Sequence, residues 1–410
     1  MNCGAHLWYK QTLRVSILDH TAAPRVALLK PTAVNAILAD VRRVQAAGAS
    51  VVSLMRGEPD FRTPDHIAAA VVEAVRAGRT GYPDNRGEMR FREAVAAKLA
   101  RDNDVAYDPG TEILATTGAT LGLACALTAL IGDGDEVLLP DPIYDAYHSP
   151  IALAGGRSRP VRAPIVNGRF ELSVDALEAA VTPSTRALLL NTPWNPVGTV
   201  FRRDELEALA AFVVRRDLLL ISDEIYETIV FDGHRHICPA SLSSEVRSRT
   251  VVVNSLSKTY AMPGWRVGYC AAPARAIEAM FLVLQQSSRG PATFIQDAAA
   301  AALTGPQEPA LAMQREYAAR RAQVMDALRD IPNVRVMPPE GGFFAMVDVR
   351  ATGRTSNDVR LHLLERHGVV VAHGSAYGPG GEGTLRVSFA SGGDNLTRGL
   401  ERLRAGLSNL

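Results

Sequence analysis

The middle of the chain predicts an α/β protein, with a mostly parallel sheet covered by helices on both faces and a smaller α+β unit beside it. Three observations carry this. Between residues 112 and 271, short apolar runs alternate with helical stretches, the order that builds parallel sheets. Residues 187–191, Ala-Leu-Leu-Leu-Asn, form a continuous apolar run closed by one polar residue, as in a strand buried on both sides. Past residue 300 the rhythm changes to a long helix, short strands around a Pro-Gly stretch and a closing helix.

In chain order, residues 33–47 read as a helix. Residues 112–116 read as a strand that turns through Thr117-Gly118 into a helix ending near 131. Further strands are expected at 136–140, 187–191, 218–222, 250–254 and 266–271. Over 203–216, Leu206, Leu209, Ala210 and Val213 share one helical face. Residues 313–330, with Met313, Tyr317, Arg320 and Arg321, are strongly helical, and two short strands flank Pro338-Pro339-Glu340-Gly341-Gly342. A helix at 356–367, strands at 369–372 and 384–389, and a helix from about 394 complete the chain. The expected division is a large domain over 59–300, a discontinuous small domain from 21–58 and 301–410, and an extension over 1–20.

Composition narrows the function classes. With 410 residues, 47% of them hydrophobic, the chain can bury one large core and a second, smaller one. Net charge is +1 and no block of like charge appears, which argues against a nucleic-acid or membrane surface. Small molecules or another subunit are the expected partners. Cys3, Cys125, Cys238 and Cys270 are scattered and match no zinc, redox or disulfide spacing, so no metal site is expected. Cys125 and Cys270 lie in apolar stretches and read as buried thiols in a reducing compartment. Residues 1–20 carry His6, Lys10, Arg14, Asp19 and His20 and contain no apolar core of signal-peptide length. A soluble, cytoplasmic protein is expected.

Ligands of such sheets bind beyond the carboxyl ends of the strands. Thr117-Gly118, Asn191, Ser222-Asp223 and Asn254-Ser255 all fall there, so residues far apart in sequence are expected to converge. Lys258 follows closely, in Ser255-Leu256-Ser257-Lys258-Thr259-Tyr260-Ala261-Met262-Pro263-Gly264-Trp265-Arg266. Its amine suits imine formation with an aldehyde cofactor, while Ser255, Ser257 and Arg266 suit that cofactor's phosphate. Gly118-Ala119-Thr120 opens a helix directly after a strand, where free N–H groups and the helix dipole favour the same anion. Each feature also has a plain structural reading. A loop lysine is usually a solvated charge, and a glycine at a strand–helix turn is common.

The combination resembles the class I aminotransferases, fold-type I enzymes that use pyridoxal 5'-phosphate, and specifically their aspartate and aromatic amino acid group. The likeness runs from about residue 30 to the C-terminus. Its most specific carriers are Asn191-Thr192-Pro193-Trp194-Asn195-Pro196, Ser222-Asp223-Glu224-Ile225-Tyr226 and Ser255-Leu256-Ser257-Lys258. A pyridoxal phosphate site needs an amine, an anion cradle, an acid for the ring nitrogen, a donor to the ring oxygen and a stacking surface. Lys258 supplies the amine and carries the proton between the substrate's Cα and the cofactor. Asp223, at a strand end, keeps the ring nitrogen protonated so that the ring draws electrons from the substrate. Tyr226 and Asn195 offer donors to the ring oxygen, and Tyr144 offers a ring to stack. Lys258, Asp223 and Tyr226 are thus the expected catalytic residues.

The resemblance implies more than the residues alone do. Gly57, in Arg56-Gly57-Glu58-Pro59-Asp60-Phe61, is expected beside the substrate carboxylate, with Asn195, and Arg386 is expected to clamp that carboxylate. Tyr82 is expected to reach the phosphate of a neighbouring subunit, which implies a homodimer with shared sites. Arg289, in a loop bordering the neighbouring site, is expected to recognise a second carboxylate, with Arg56 and Arg86 as the other loop cations. The implied activity moves an amino group from an L-amino acid to a 2-oxo acid, with 2-oxoglutarate the expected acceptor. Its rivals are another pyridoxal phosphate reaction on the same scaffold (a β-lyase, a synthase or an oxidase-like enzyme) and a non-catalytic regulator. Residues 1–30 are too short for the DNA-binding domain a regulator would need. Val197, Leu121 and the run Pro83-Asp84-Asn85-Arg86-Gly87 depart from the family's usual residues and bear on substrate choice.

Overall fold

Seven strands of the middle region form one sheet, and their sequences explain its position. In the computed structural model, which describes residues 32–410 together with Val26 and Leu29, they are β1 (Ile113–Thr116), β2 (Glu136–Asp141), β3 (Arg157–Arg162), β4 (Thr185–Asn191), β5 (Leu219–Asp223), β6 (Thr250–Ser255) and β7 (Gly268–Ala271). The expected extension over 1–20, with Cys3, lies outside the described residues. The spatial order is β1-β7-β6-β5-β4-β2-β3. Neighbours from β6 to β3 pair in parallel, and β7 alone runs antiparallel to both its neighbours.

Successive residues point to opposite faces of the sheet. Val137, Leu139, Leu189 and Ile221 meet helices Ala119–Leu130 and Ala274–Ser287 on one side. Leu138, Leu188, Leu190 and Leu220 meet Leu206, Leu209, Ala210 and Val213 of helix Arg203–Arg215 on the other. Helices Met89–Asn103 and Thr293–Thr304 cover the β1 end of that face. Cutting a fully buried leucine here back to alanine is expected to cost about 2–5 kcal/mol.

A second, four-stranded antiparallel sheet follows the order Arg335–Met337, Phe344–Asp348, Thr384–Ser388, Ala372–His373. Helices Glu308–Ala327, Ser356–His367 and Gly393–Leu407 pack around it, over a core holding Tyr317, Phe343, Phe389 and Leu400. Helix Ala33–Ala46 joins this region through Ile37 and Val44, which pack with Leu364 and Tyr377.

Several expectations need correction. The strand expected at 266–271 begins at Gly268, because Arg266 adopts a left-handed conformation (φ 53°) that no strand continues. The strand expected at 369–372 is two: Val369–Val370 pairs in parallel with Val52–Ser53, and Ala372–His373 pairs with residues 385–386. The chain changes partners at Val371. The helix expected at 313–330 spans Glu308–Ala327. Strand β3 escaped the sequence reading because Arg157, Arg159, Pro160 and Arg162 give an edge strand no apolar run. Cys125, Cys238 and Cys270 are buried free thiols. Among the described residues, no helix is long and apolar enough to cross a membrane.

Candidate active site

The sheet delivers its polar ends to one place. Strands β1, β4, β5 and β6 finish at Thr116, Asn191, Asp223 and Ser255 along one edge, and the reversed β7 starts at the same edge, with Gly268 opposite Thr116 and Ser255. A cavity of about 330 Å³ opens there, within the usual size of small-molecule sites.

One corner is built for an anion. Ala119 and Thr120, in the first turn of helix Ala119–Leu130, line the cavity with Ser255, Ser257 and Arg266. Gly118 lies just behind (φ +79°), and a Cβ there would sit 2.9 Å from the Arg266 guanidinium. Only glycine gives both the backbone conformation and the room. Arg266 is turned into the corner by its own left-handed backbone and steadied by donating Nη1 to the Pro263 carbonyl at 2.9 Å.

Lys258 stands beside this corner, half-buried. Its Nζ donates to the Gly57 carbonyl at 2.7 Å, so the Arg56-Gly57-Glu58 segment reaches the lysine directly. Burial lowers the amine to about 8, with Arg266 and Arg386 adding to the effect against Glu58 and Asp223. Loss of water, more than the cationic neighbours, makes this lysine easy to deprotonate.

Asp223 is buried on the opposite wall. Its Oδ2 accepts the Tyr147 hydroxyl at 2.6 Å and its Oδ1 accepts the Ile225 N–H at 3.2 Å. Burial pushes its carboxyl up to about 6, opposed by those two donors. Tyr226, one turn on, is buried edge-on to Phe343 and Phe344, at 5.4 and 5.7 Å between ring centres. Asn195 is positioned by the loop itself: its N–H donates to Asn191 Oδ1 at 2.7 Å, and Asn191 Nδ2 donates to the Asp223 carbonyl at 3.0 Å. Tyr144 lines the mouth, 40% exposed, edge-on to Tyr147.

Arg386 closes the far side. The guanidinium is buried between the rings of Phe344 and Tyr377, at 4.3 and 4.8 Å from their centres. Nη1 donates to Asn195 Oδ1 at 3.2 Å and Nη2 to the Met55 carbonyl at 3.4 Å. Nε has no partner among the described residues. A buried guanidinium served only by neutral acceptors is costly unless a ligand anion completes it.

The cavity thus gathers Gly57, Ala119, Thr120, Tyr144, Asn195, Asp223, Tyr226, Ser255, Ser257, Lys258, Arg266 and Arg386. It does not gather Tyr82 or Arg289. Those two lie together in a separate open depression, with the guanidinium 4.8 Å from the tyrosine ring centre and Tyr82 86% exposed. Arg56 and Arg86 are paired with Glu58 at 3.1 Å and Glu278 at 2.6 Å. Sequence reading missed Tyr147, Tyr377, Phe344 and Val34 on the cavity wall, while Asn191, expected among the converging strand ends, is found there. Tyr147 alone had a local signal, three residues after Tyr144 at the same strand end.

The family model for aminotransferase class I and II matches residues 49–403. The aromatic-amino-acid aminotransferase 2 of Thermococcus litoralis is 40% identical, over 86% of this chain and 90% of that protein. The aspartate aminotransferase of Pyrococcus abyssi is 38% identical, over 92% and 96%. The crystal structure of the aromatic aminotransferase from Pyrococcus horikoshii superposes with a TM-score of 0.85 at 39% identity, covering 90% of this chain and 99% of that one.

Proposed function

Because this chain belongs to the class I and II aminotransferase family, we propose that its cavity binds pyridoxal phosphate and serves amino-group transfer from an L-amino acid to a 2-oxo acid. The observation that carries the reading is one cavity with a readily deprotonated lysine, a buried carboxylate, an anion corner and a buried guanidinium lacking an acid partner. Those are the donors and acceptors this cofactor and an α-amino acid require, and glycine at 118 lets the Arg266 guanidinium pack against the start of the helix, where a Cβ would push it out of the anion corner.

When bound, the cofactor supplies the electron sink that makes the substrate's Cα acidic. The residues do the rest. Ala119, Thr120, Ser255, Ser257 and Arg266 hold the phosphate. Asp223, ionised near neutral pH, accepts the ring N–H and keeps that proton in place, with Tyr147 orienting its carboxylate. Tyr226 and Asn195 donate toward the ring oxygen, and Tyr144 covers a ring face. Arg386 takes the substrate carboxylate in two parallel hydrogen bonds and so fixes Cα. Lys258 Nζ, neutral above about pH 8, removes the Cα proton.

Among the described residues, the cavity's cations are Lys258, Arg266 and Arg386, and each has a task. A substrate with a second carboxylate therefore needs a cation from elsewhere. Arg289, delivered with Tyr82 by a second copy of the chain, fits that need and supports a homodimer with 2-oxoglutarate as acceptor. The buried free thiols agree with a reducing, cytoplasmic setting.

The test is a panel of amino donors with 2-oxoglutarate, followed by absorbance and product analysis. Stoichiometric formation of oxo acid and pyridoxamine phosphate in the half-reaction is expected. Ammonia release or β-elimination without pyridoxamine phosphate would overturn the reading.

A further inference from the structure

Asp223 and Tyr226 face the cavity, but the residues that alternate with them on the same turn, Glu224 and Glu227, point the other way into the protein. Both are buried carboxylates. Glu224 Oε1 accepts the Ser222 hydroxyl at 2.8 Å, and Oε2 lies 2.8 Å from His236 Nε2. Glu227 is bonded more fully. Lys98 Nζ donates to its Oε1, Asn254 Nδ2 donates to Oε1 at 2.7 Å, and Asn103 Nδ2 donates to Oε2 at 2.9 Å. Glu224, Glu227 and His236 bring ligand-type atoms within 4.8 Å of one another, but Lys98 already occupies the position a cation would take.

None of Lys98, Asn103, Glu227 and Asn254 lines the cavity. Their arrangement nevertheless joins two segments that do. Asn254 is the penultimate residue of β6, and its Oδ1 accepts the N–H of Ser255 at 2.7 Å while its Nδ2 holds Glu227. One side chain therefore links the turn that carries Asp223 and Tyr226 to the segment that carries Ser255, Ser257 and Lys258. A buried ion pair is a weak source of stability, and apolar residues of similar volume often replace one without loss. Its attested use is to specify one arrangement among several, and this pair sits where arrangement matters most.

We propose that Glu227, held by Lys98 and Asn103, is a positioning residue that acts through Asn254 to fix the anion-corner segment relative to the Asp223–Tyr226 turn. The proposal rests on the functional reading above for its consequence, but its structural core concerns the chain alone. What matters is the acceptor offered to Asn254, rather than the charge of the pair.

Three variants separate these terms. K98M/E227Q removes the ion pair and keeps an acceptor for Asn254. K98M/E227L removes both. Asn254→Ala breaks the link from the other end and leaves Lys98 with Glu227. In cofactor-free protein, hydrogen exchange at the Ser255 amide is expected to accelerate in K98M/E227L and Asn254→Ala and to stay near wild type in K98M/E227Q. Titration with pyridoxal phosphate is expected to show affinity weakened on the order of ten- to a hundredfold in the first two, the scale of a lost buried hydrogen bond. K98M/E227Q is expected to stay within about threefold of wild type, because its amide oxygen remains. Equal losses in the two double variants, or wild-type exchange and affinity in Asn254→Ala, would overturn the proposal. Uptake of pyridoxal phosphate by the wild type is the separate check on the functional reading.

Discussion

The strand-end cavity and the Tyr82–Arg289 depression are built on opposite terms. In the cavity, Lys258, Asp223 and Arg386 are each held by a partner from another part of the same chain, Asn195 being that of Arg386. At the depression, Tyr82 is 86% exposed and the Arg289 guanidinium lies 4.8 Å from its ring centre. The first is preorganised by the fold. The second needs another surface to become a site. The chemistry is therefore expected to rest on the cavity's own residues, and the reach of Tyr82 to a neighbouring phosphate and of Arg289 to a second carboxylate to depend on a second copy of the chain.

The largest effect should follow from the only lysine among the described residues of the cavity. Lys258→Ala is expected to reduce amino transfer by on the order of ten-thousandfold or more, because both the attacking amine and the proton carrier are lost. Near-native turnover, measured with any donor, would sink the assignment. Across the boundary, Arg289→Ala is expected to raise KM for 2-oxoglutarate by about ten- to a hundredfold, the range for one lost charged hydrogen bond. A neutral 2-oxo acid should be nearly unaffected. Equal changes for both acceptors would make Arg289 structural and collapse the contrast between the two regions.

Tyr147→Phe should have a smaller and more diagnostic effect. Tyr147 donates to the Asp223 carboxylate and favours its ionised form, so its loss raises a carboxyl that burial already holds at about 6. In the cofactor-free chain, Asp223 should then take up its proton at a higher pH. The shift is expected to be about one pH unit, the scale of a single hydrogen bond. Carboxyl titration followed by infrared difference spectroscopy checks it, and an unmoved midpoint would deny Tyr147 this role.

How much of this was legible depends on where each residue's partners lie. Lys258, Asp223 and Asn195 stand at strand ends within short motifs, and the α/β rhythm alone brought those ends together. Leu206, Leu209, Ala210 and Val213 announced their helix by spacing and are buried as expected. Tyr377 and Phe344 gave no signal, since they reach Arg386 from a short 3-10 turn and from the neighbouring strand of its own sheet, contacts that local pattern does not encode. Strand β3 was hidden by its arginines. Arg266 was read as part of a strand, yet its left-handed backbone is what turns its side chain into the anion corner. Glu227 looked like one more polar residue beside a motif. Its role is visible only when Lys98, 129 positions away in sequence, is seen against it.

The most direct measurement is borohydride reduction of the protein loaded with pyridoxal phosphate, followed by peptide mass mapping. The visible absorbance is expected to bleach, with one phosphopyridoxyl group per chain found on Lys258. Label on another lysine, or none on the peptide containing Ser255, Ser257 and Lys258, would contradict it.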